Sequence, residues 1–158
     1  MNNHILENSL IVAALLTIIL TPVIWAVIHS RRLKRQRISS EIIKAEKDYQ
    51  AQFHHIDHLD SSVIALDENK KVILQMDVKD YTNQLIDLKN VASCAVEEKK
   101  QKNNIQLLQL VLRNSGQQAL HHIVLYKQYI DNEGHLKKRV KTAAQWEVLI
   151  NRAIAVPA

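Results

Sequence analysis

Residues 63–76, VIALDENKKVILQM, decide how the rest of the chain reads. An apolar run ends at Leu66, the polar Asp67-Glu68-Asn69-Lys70 follows, and a second apolar run extends from Lys71 to Met76. That order predicts a β-hairpin with a four-residue turn. Beyond it, Leu85–Leu88 and Val91–Val96 read as two more short strands, separated by Lys89-Asn90. Ala92, Cys94 and Val96 fall on one face of the second, because strand side chains alternate. Glu97–Lys102 reads as a charged loop. Ile105–Leu112 is apolar on both faces, as a central buried strand requires, although a helix also fits the pattern. Asn114-Ser115-Gly116 is a turn in which Gly116 is free to take a positive φ. Leu120–Tyr126 is the sixth strand, and Asp131–Gly134 a further turn.

The period then changes. From Leu136 to about Ile154 the apolar residues Leu136, Val140, Ala143, Trp146 and Ile150 fall on one helical arc. Lys137, Lys138 and Lys141 lie off that arc, where they are candidates for surface contact. Trp146, in mid-stripe, is the expected structural core anchor. Residues 59–158 therefore read as one α+β domain, a small curled antiparallel sheet or partly open barrel closed by a C-terminal amphipathic helix.

Working toward the N-terminus, residues 39–58 read as a helical connector. Ser39 and Ser40 are N-cap types, and Glu41 follows in a first turn that favours a carboxylate. Ile42, Ala45, Tyr49, Phe53 and Ile56 recur at three- and four-residue steps. Such a stripe could pack on the domain or pair with a second copy in a homodimer. Before it, Ser9–Ile28 (SLIVAALLTIILTPVIWAVI) contains no ionisable side chain. At about 1.5 Å per residue it is long enough for a hydrocarbon core of about 30 Å, so it reads as a transmembrane helix in contact with the lipid bilayer. A cleavable signal peptide is the competing reading. Residues 1–8 argue against it, since that short leader carries no Lys or Arg, and the apolar run ends in bulky and charged residues.

The segment 29–38 supplies Arg31, Arg32, Lys34, Arg35 and Arg37. Basic residues flanking a span are retained on the cytoplasmic side. The expectation is a single-pass protein of the inner membrane, N-terminus outside and C-terminal domain in the cytoplasm. One cysteine, Cys94, permits no internal disulfide and agrees with a reducing compartment. The formal charge of +5 is concentrated here: residues 1–38 hold five basic side chains and one acidic, the other 120 hold 16 and 15. The soluble part is thus nearly neutral, which argues against nucleic acid as a partner. HLKKRVK at 135–141 is basic but has no interleaved aromatic.

Chemistry is sparse. Two glycines, Gly116 and Gly134, cannot build a phosphate-cradling loop. Cys94 on an apolar face reads as an inert buried thiol. Asp77, Asp80 and Asp87 lack a spacing that suggests a shared proton and read as solvated loop carboxylates. Among eight histidines, His54 and His58 stand four apart and would share a face of a helix. His121 and His122 point to opposite faces of a strand. Two histidines do not close a zinc site, so no metal site, cofactor or catalytic residue is expected.

The hairpin VIALDENKKVIL and the closing helix with AAQWEVLI resemble a bacterial pleckstrin-homology-like domain carried by small single-pass membrane proteins. The resemblance covers about residues 60–154 and rests on element order and the tryptophan of the last helix. It departs in strand number, six against the seven of that fold, and in offering only Lys70 and Lys71 between the first two strands. What it implies is an adaptor for protein or lipid surfaces, without catalytic residues. The functional expectation is a membrane-tethered interaction module, an adaptor or accessory subunit of a membrane-associated assembly with a protein partner. An anionic-lipid-sensing module is the alternative, and a metal protein or enzyme comes after both.

Overall fold

The computed structural model describes residues 3–102 and 104–155, with side chains from Leu16 onward except those of Val23 and Arg31. The chain divides into two compact units, residues 1–43 and 44–158. One helix, α1 (Asn3–Tyr49), makes up the first unit and continues into the second. By length and composition it is long and apolar enough to cross a membrane. Pro22 lies within it, and the Thr21 hydroxyl donates to the Thr17 carbonyl at 2.6 Å. Residues 1, 2 and 156–158, the outermost positions expected in the leader and in the domain, lie outside the described residues.

The expected break at residue 39 does not occur. Ser40 is internal to α1, and its hydroxyl donates backward to the Arg37 carbonyl at 2.8 Å instead of capping a new helix. The helical connector is also shorter than expected. Gln50 takes a φ of 51° just after Tyr49, Ala51 N–H donates to the Glu46 carbonyl, and Phe53 N–H donates to the Glu46 carboxylate. These bonds close the helix end, bury Ala45 and Phe53, and leave Ile56 to a strand.

That strand, β1 (His55–His58), was expected to be part of the connector. Its sequence, HIDH, is polar, and what makes it a strand is backbone pairing with β2 (Ser62–Asp67), all six of whose residues are buried. β3 (Val72–Asp77) completes the expected hairpin with β2, and β4 (Asn83–Asp87) follows. The turn is fixed by Asp67, whose carboxylate accepts from the amides of Asn69 and Lys70 and, from outside the turn, of Gln52. Lys71 absorbs the reversal at φ 55°. The first sheet runs β1-β2-β3-β4, entirely antiparallel.

The second sheet is β5 (Ser93–Gln101), β6 (Asn104–Arg113) and β7 (Ala119–Lys127), in that order. Glu97–Gln101 is therefore strand and not loop. The apolar β6 offers a ladder that extends, through a register shift between Lys99 and Lys100, as far as Gln101, and a charged edge strand can occupy it. Residues 105–112 are strand, which settles the helix alternative. At the β6–β7 turn Gln117, not Gly116, adopts the left-handed conformation (φ 61°), because Asn114 clamps the turn by accepting from the Gln118 amide. Among the described residues seven strands thus precede the closing helix α2 (Leu136–Ala155), not six, and they form two sheets with no closed barrel. A short 3-10 turn (Glu133–His135) leads into α2. One core joins both sheets to the helix, with Trp146, Tyr126, Leu66, Leu110 and Ile86 among its members.

Candidate functional site

Trp146 is 1% exposed, and its indole N–H donates to the Asp57 carboxylate of β1 at 2.7 Å. The core anchor is thus also a polar bridge, since a buried indole needs an acceptor. On either side of it, α2 is fastened to the strands by side chains. Asn151 both accepts from the Cys94 amide (2.9 Å) and donates to the Cys94 carbonyl (2.8 Å). One turn earlier Glu147 accepts from the Val96 amide at 3.3 Å. Residues four apart on the helix so meet residues two apart along the outer edge of β5, satisfying backbone groups that an edge strand would otherwise expose.

Two further clusters hold the ends of α2. Near its start, Asp60 in the β1–β2 turn accepts from Arg139 at 3.0 Å and lies 2.9 Å from His135 Nδ1, while Arg139 also donates to the His58 carbonyl. Burial pushes the Asp60 carboxyl up, but the His135 hydrogen bond and the Arg139 charge together hold it below the ordinary carboxylate value. Near the other end, Glu68 in the β2–β3 turn accepts from Arg152 at 2.5 Å and lies 3.2 Å from His55.

The sequence-predicted residues are dispersed. Arg32, Lys34, Arg35 and Arg37 are exposed along α1; the Arg31 side chain lies outside the described residues. Lys137, Lys138 and Lys141 are exposed on the first turns of α2, beside the buried Arg139. His58 sits in a strand and His54 just before it, not on a helix, so the helical spacing that would have brought them to one face is lost. Among the described residues, no three His, Cys, Asp or Glu side chains converge as metal ligands would. Cys94 is buried, and burial followed by the charge of Glu147 pushes its thiol up to about 12. It is held protonated and poorly nucleophilic at neutral pH.

Sequence reasoning missed the most exposed apolar point of the domain. Tyr129 is 88% and Ile130 55% exposed in the turn after β7. The signal was present in Tyr129-Ile130 directly before the polar Asp131–Gly134, an apolar pair past the end of the strand's alternation. Clefts of about 200 and 320 Å³ adjoin this turn. The smaller is lined by Lys102, Asn104 and Tyr129, the larger by Asn104, Tyr126 and Leu136. The end of the β5–β6 hairpin, the turn after β7 and the start of α2 therefore lie together. No protein-family model, curated protein or solved structure matches the chain.

Proposed function

We propose that this chain is a membrane-tethered interaction module, with α1 crossing the inner membrane once and the α+β domain held in the cytoplasm as an adaptor or accessory subunit. The observation that carries the reading is α1 itself, a helix long and apolar enough to span a bilayer, followed directly by basic side chains and a compact domain. The positive flank supports an N-outside, C-inside orientation. The domain's polar side chains support a binding role over a catalytic one. His135, Arg139, Trp146 and Asn151 are each engaged in fastening α2 to strands or turns. Seven strands ahead of a closing helix bring the strand number to that of the pleckstrin-homology-like layout, which supports the same reading. Tethering raises the effective concentration of a modest binding surface without adding contacts.

A cytoplasm-dependent reporter fused after Ala158 tests the orientation, and activity of a periplasm-dependent reporter there would overturn it. Purification of the tagged full chain in mild detergent tests the role. The expected result is a stoichiometric protein partner, retained when the basic residues of α1 are replaced by Gln. A chain that purifies alone under every mild condition would overturn the adaptor reading.

A further inference from the structure

The turn after β7 holds its apolar pair outward by a rigid device. Asp131 N–H donates to the Lys127 carbonyl at 3.0 Å, and the buried Asp131 carboxylate accepts from Lys127 N–H at 2.7 Å. Gln128 N–H donates to the Gln106 carbonyl of β6. Within this double clamp Tyr129 adopts φ 68°, a conformation that a bulky residue occupies at a cost and that persists only where surrounding bonds impose it. The strained turn aims an aromatic and an aliphatic side chain into solvent.

The surroundings are basic. Lys127 precedes the turn, Lys102 lines the adjoining cleft, and Lys137, Lys138 and Lys141 are exposed on the first turns of α2. Among the described residues none of these five enters an ion pair, whereas Arg139 between them is neutralised by Asp60. Of the acidic side chains near this end, Glu133 is exposed and lines the larger cleft, Asp60 is bonded to His135 and Arg139, and Asp131 is turned inward to its backbone partner. A projecting Tyr and Ile, with Lys102 in the adjoining cleft and exposed lysines before the turn and on the first turns of α2, is the composition of a surface that meets anionic headgroups, with the aromatic ring at the polar–apolar boundary.

We propose that this end of the domain rests on the anionic surface of the bilayer, Tyr129 and Ile130 entering the headgroup layer and the lysines lying over lipid phosphates. The inference rests on α1 spanning that bilayer, and it names the part of the domain that meets lipid. A weak contact suffices, because the tether supplies the concentration.

The test uses the full chain in proteoliposomes of phosphatidylcholine, with or without about 30% phosphatidylglycerol, a surface whose negative potential attracts basic residues. An environment-sensitive dye is attached at Ile130→Cys, at Val148→Cys on the far part of α2, or at Ile18→Cys in the apolar part of α1; native Cys94 is buried and stays unlabelled. In anionic vesicles the Ile130→Cys dye should shift to shorter emission and be quenched by brominated acyl chains, while the Val148→Cys dye remains aqueous. The shift should be lost at about 0.5 M salt, where screening is nearly complete. It should also be lost on adding Tyr129→Asn, a residue that tolerates the left-handed turn and so preserves the fold. An aqueous Ile130→Cys dye beside a lipid-shielded Ile18→Cys dye would overturn this contact and leave the tether standing. Both dyes aqueous would overturn both. A shift equal in neutral vesicles and indifferent to salt would overturn the anionic basis.

Discussion

Helix α2 carries the same three-part chemistry at both ends, an arginine that bonds a turn carboxylate with a histidine on the other side. At one end Arg139 meets Asp60 and His135; at the other Arg152 meets Glu68 and His55. The solvent separates them. The Arg139 side chain is 6% exposed and the Arg152 side chain 57%. A buried guanidinium that loses its acceptor leaves an uncompensated charge, whereas an exposed one returns to water. The same kinds of group therefore hold the helix firmly at its start and only weakly near its end.

The most damaging way to break the comparison is to remove what lies between the clusters. Trp146→Ala takes out the largest fully buried side chain and strands Asp57 without its donor. A loss of about 3–5 kcal/mol is expected in urea unfolding followed by far-ultraviolet circular dichroism. Arg139→Ala comes next. It removes two hydrogen bonds made by a buried guanidinium and the partner of the half-buried Asp60 carboxylate, and should cost about 2–3 kcal/mol. A cost under about 0.5 kcal/mol, the range of an ordinary surface position, would show that the start of α2 is held by packing alone.

Acid sharpens the contrast. The folded Asp60 carboxyl is held below its ordinary value, so its contribution is complete above about pH 4 and is lost as pH falls through the lower folded value. Glu68 is lowered in the same direction, chiefly by the Arg152 hydrogen bond, but its partner guanidinium is exposed, so solvent screens the pair. Stability measured from pH 7 down to pH 3 should therefore fall less steeply for Asp60→Asn than for the parent chain. Glu68→Gln should follow the parent curve closely. Equal flattening by both substitutions would mean that burial does not distinguish the two clusters.

Much of this architecture is legible in the sequence wherever one face is apolar. The 63–76 hairpin, the buried strand at 105–112 and the Trp146 helix all announce themselves by hydrophobic period. What is illegible is held by backbone or by distant polar partners. HIDH at 55–58 becomes a strand only because β2 beside it needs an antiparallel neighbour, and Glu97–Gln101 only because β6 does. Ser39-Ser40 mimics a helix start, yet α1 runs through it, since a local cap preference near 1 kcal/mol is smaller than the gain from uninterrupted helical bonding. Of the candidate site, the lysines of 137–141 were visible as charge, but Tyr129 was not, because its exposure depends on the Lys127–Asp131 clamp across the turn. Arg139, one of four cations in HLKKRVK, looks like its neighbours in the sequence and is the one turned inward.

The smallest expected effect tests the weaker cluster directly. Arg152→Ala removes a 2.5 Å ion pair that looks, by distance alone, better than the 3.0 Å pair of Arg139. Distance is the wrong measure here. Both partners of the Arg152 pair keep solvent within reach, so water replaces what the substitution removes, and ordering two long side chains offsets much of the Coulomb gain. The expected loss is at most about 0.5 kcal/mol, shrinking further with added salt as the Debye length shortens toward about 3 Å at 1 M. Arg139→Ala should keep most of its effect in the same salt, because the guanidinium is buried and also bonds the uncharged His58 carbonyl, which ions do not screen. If Arg152→Ala instead cost as much as Arg139→Ala and resisted salt, the Glu68 end of α2 would have to be shielded from water by something in addition to this chain, and the binding surface of the module would lie there.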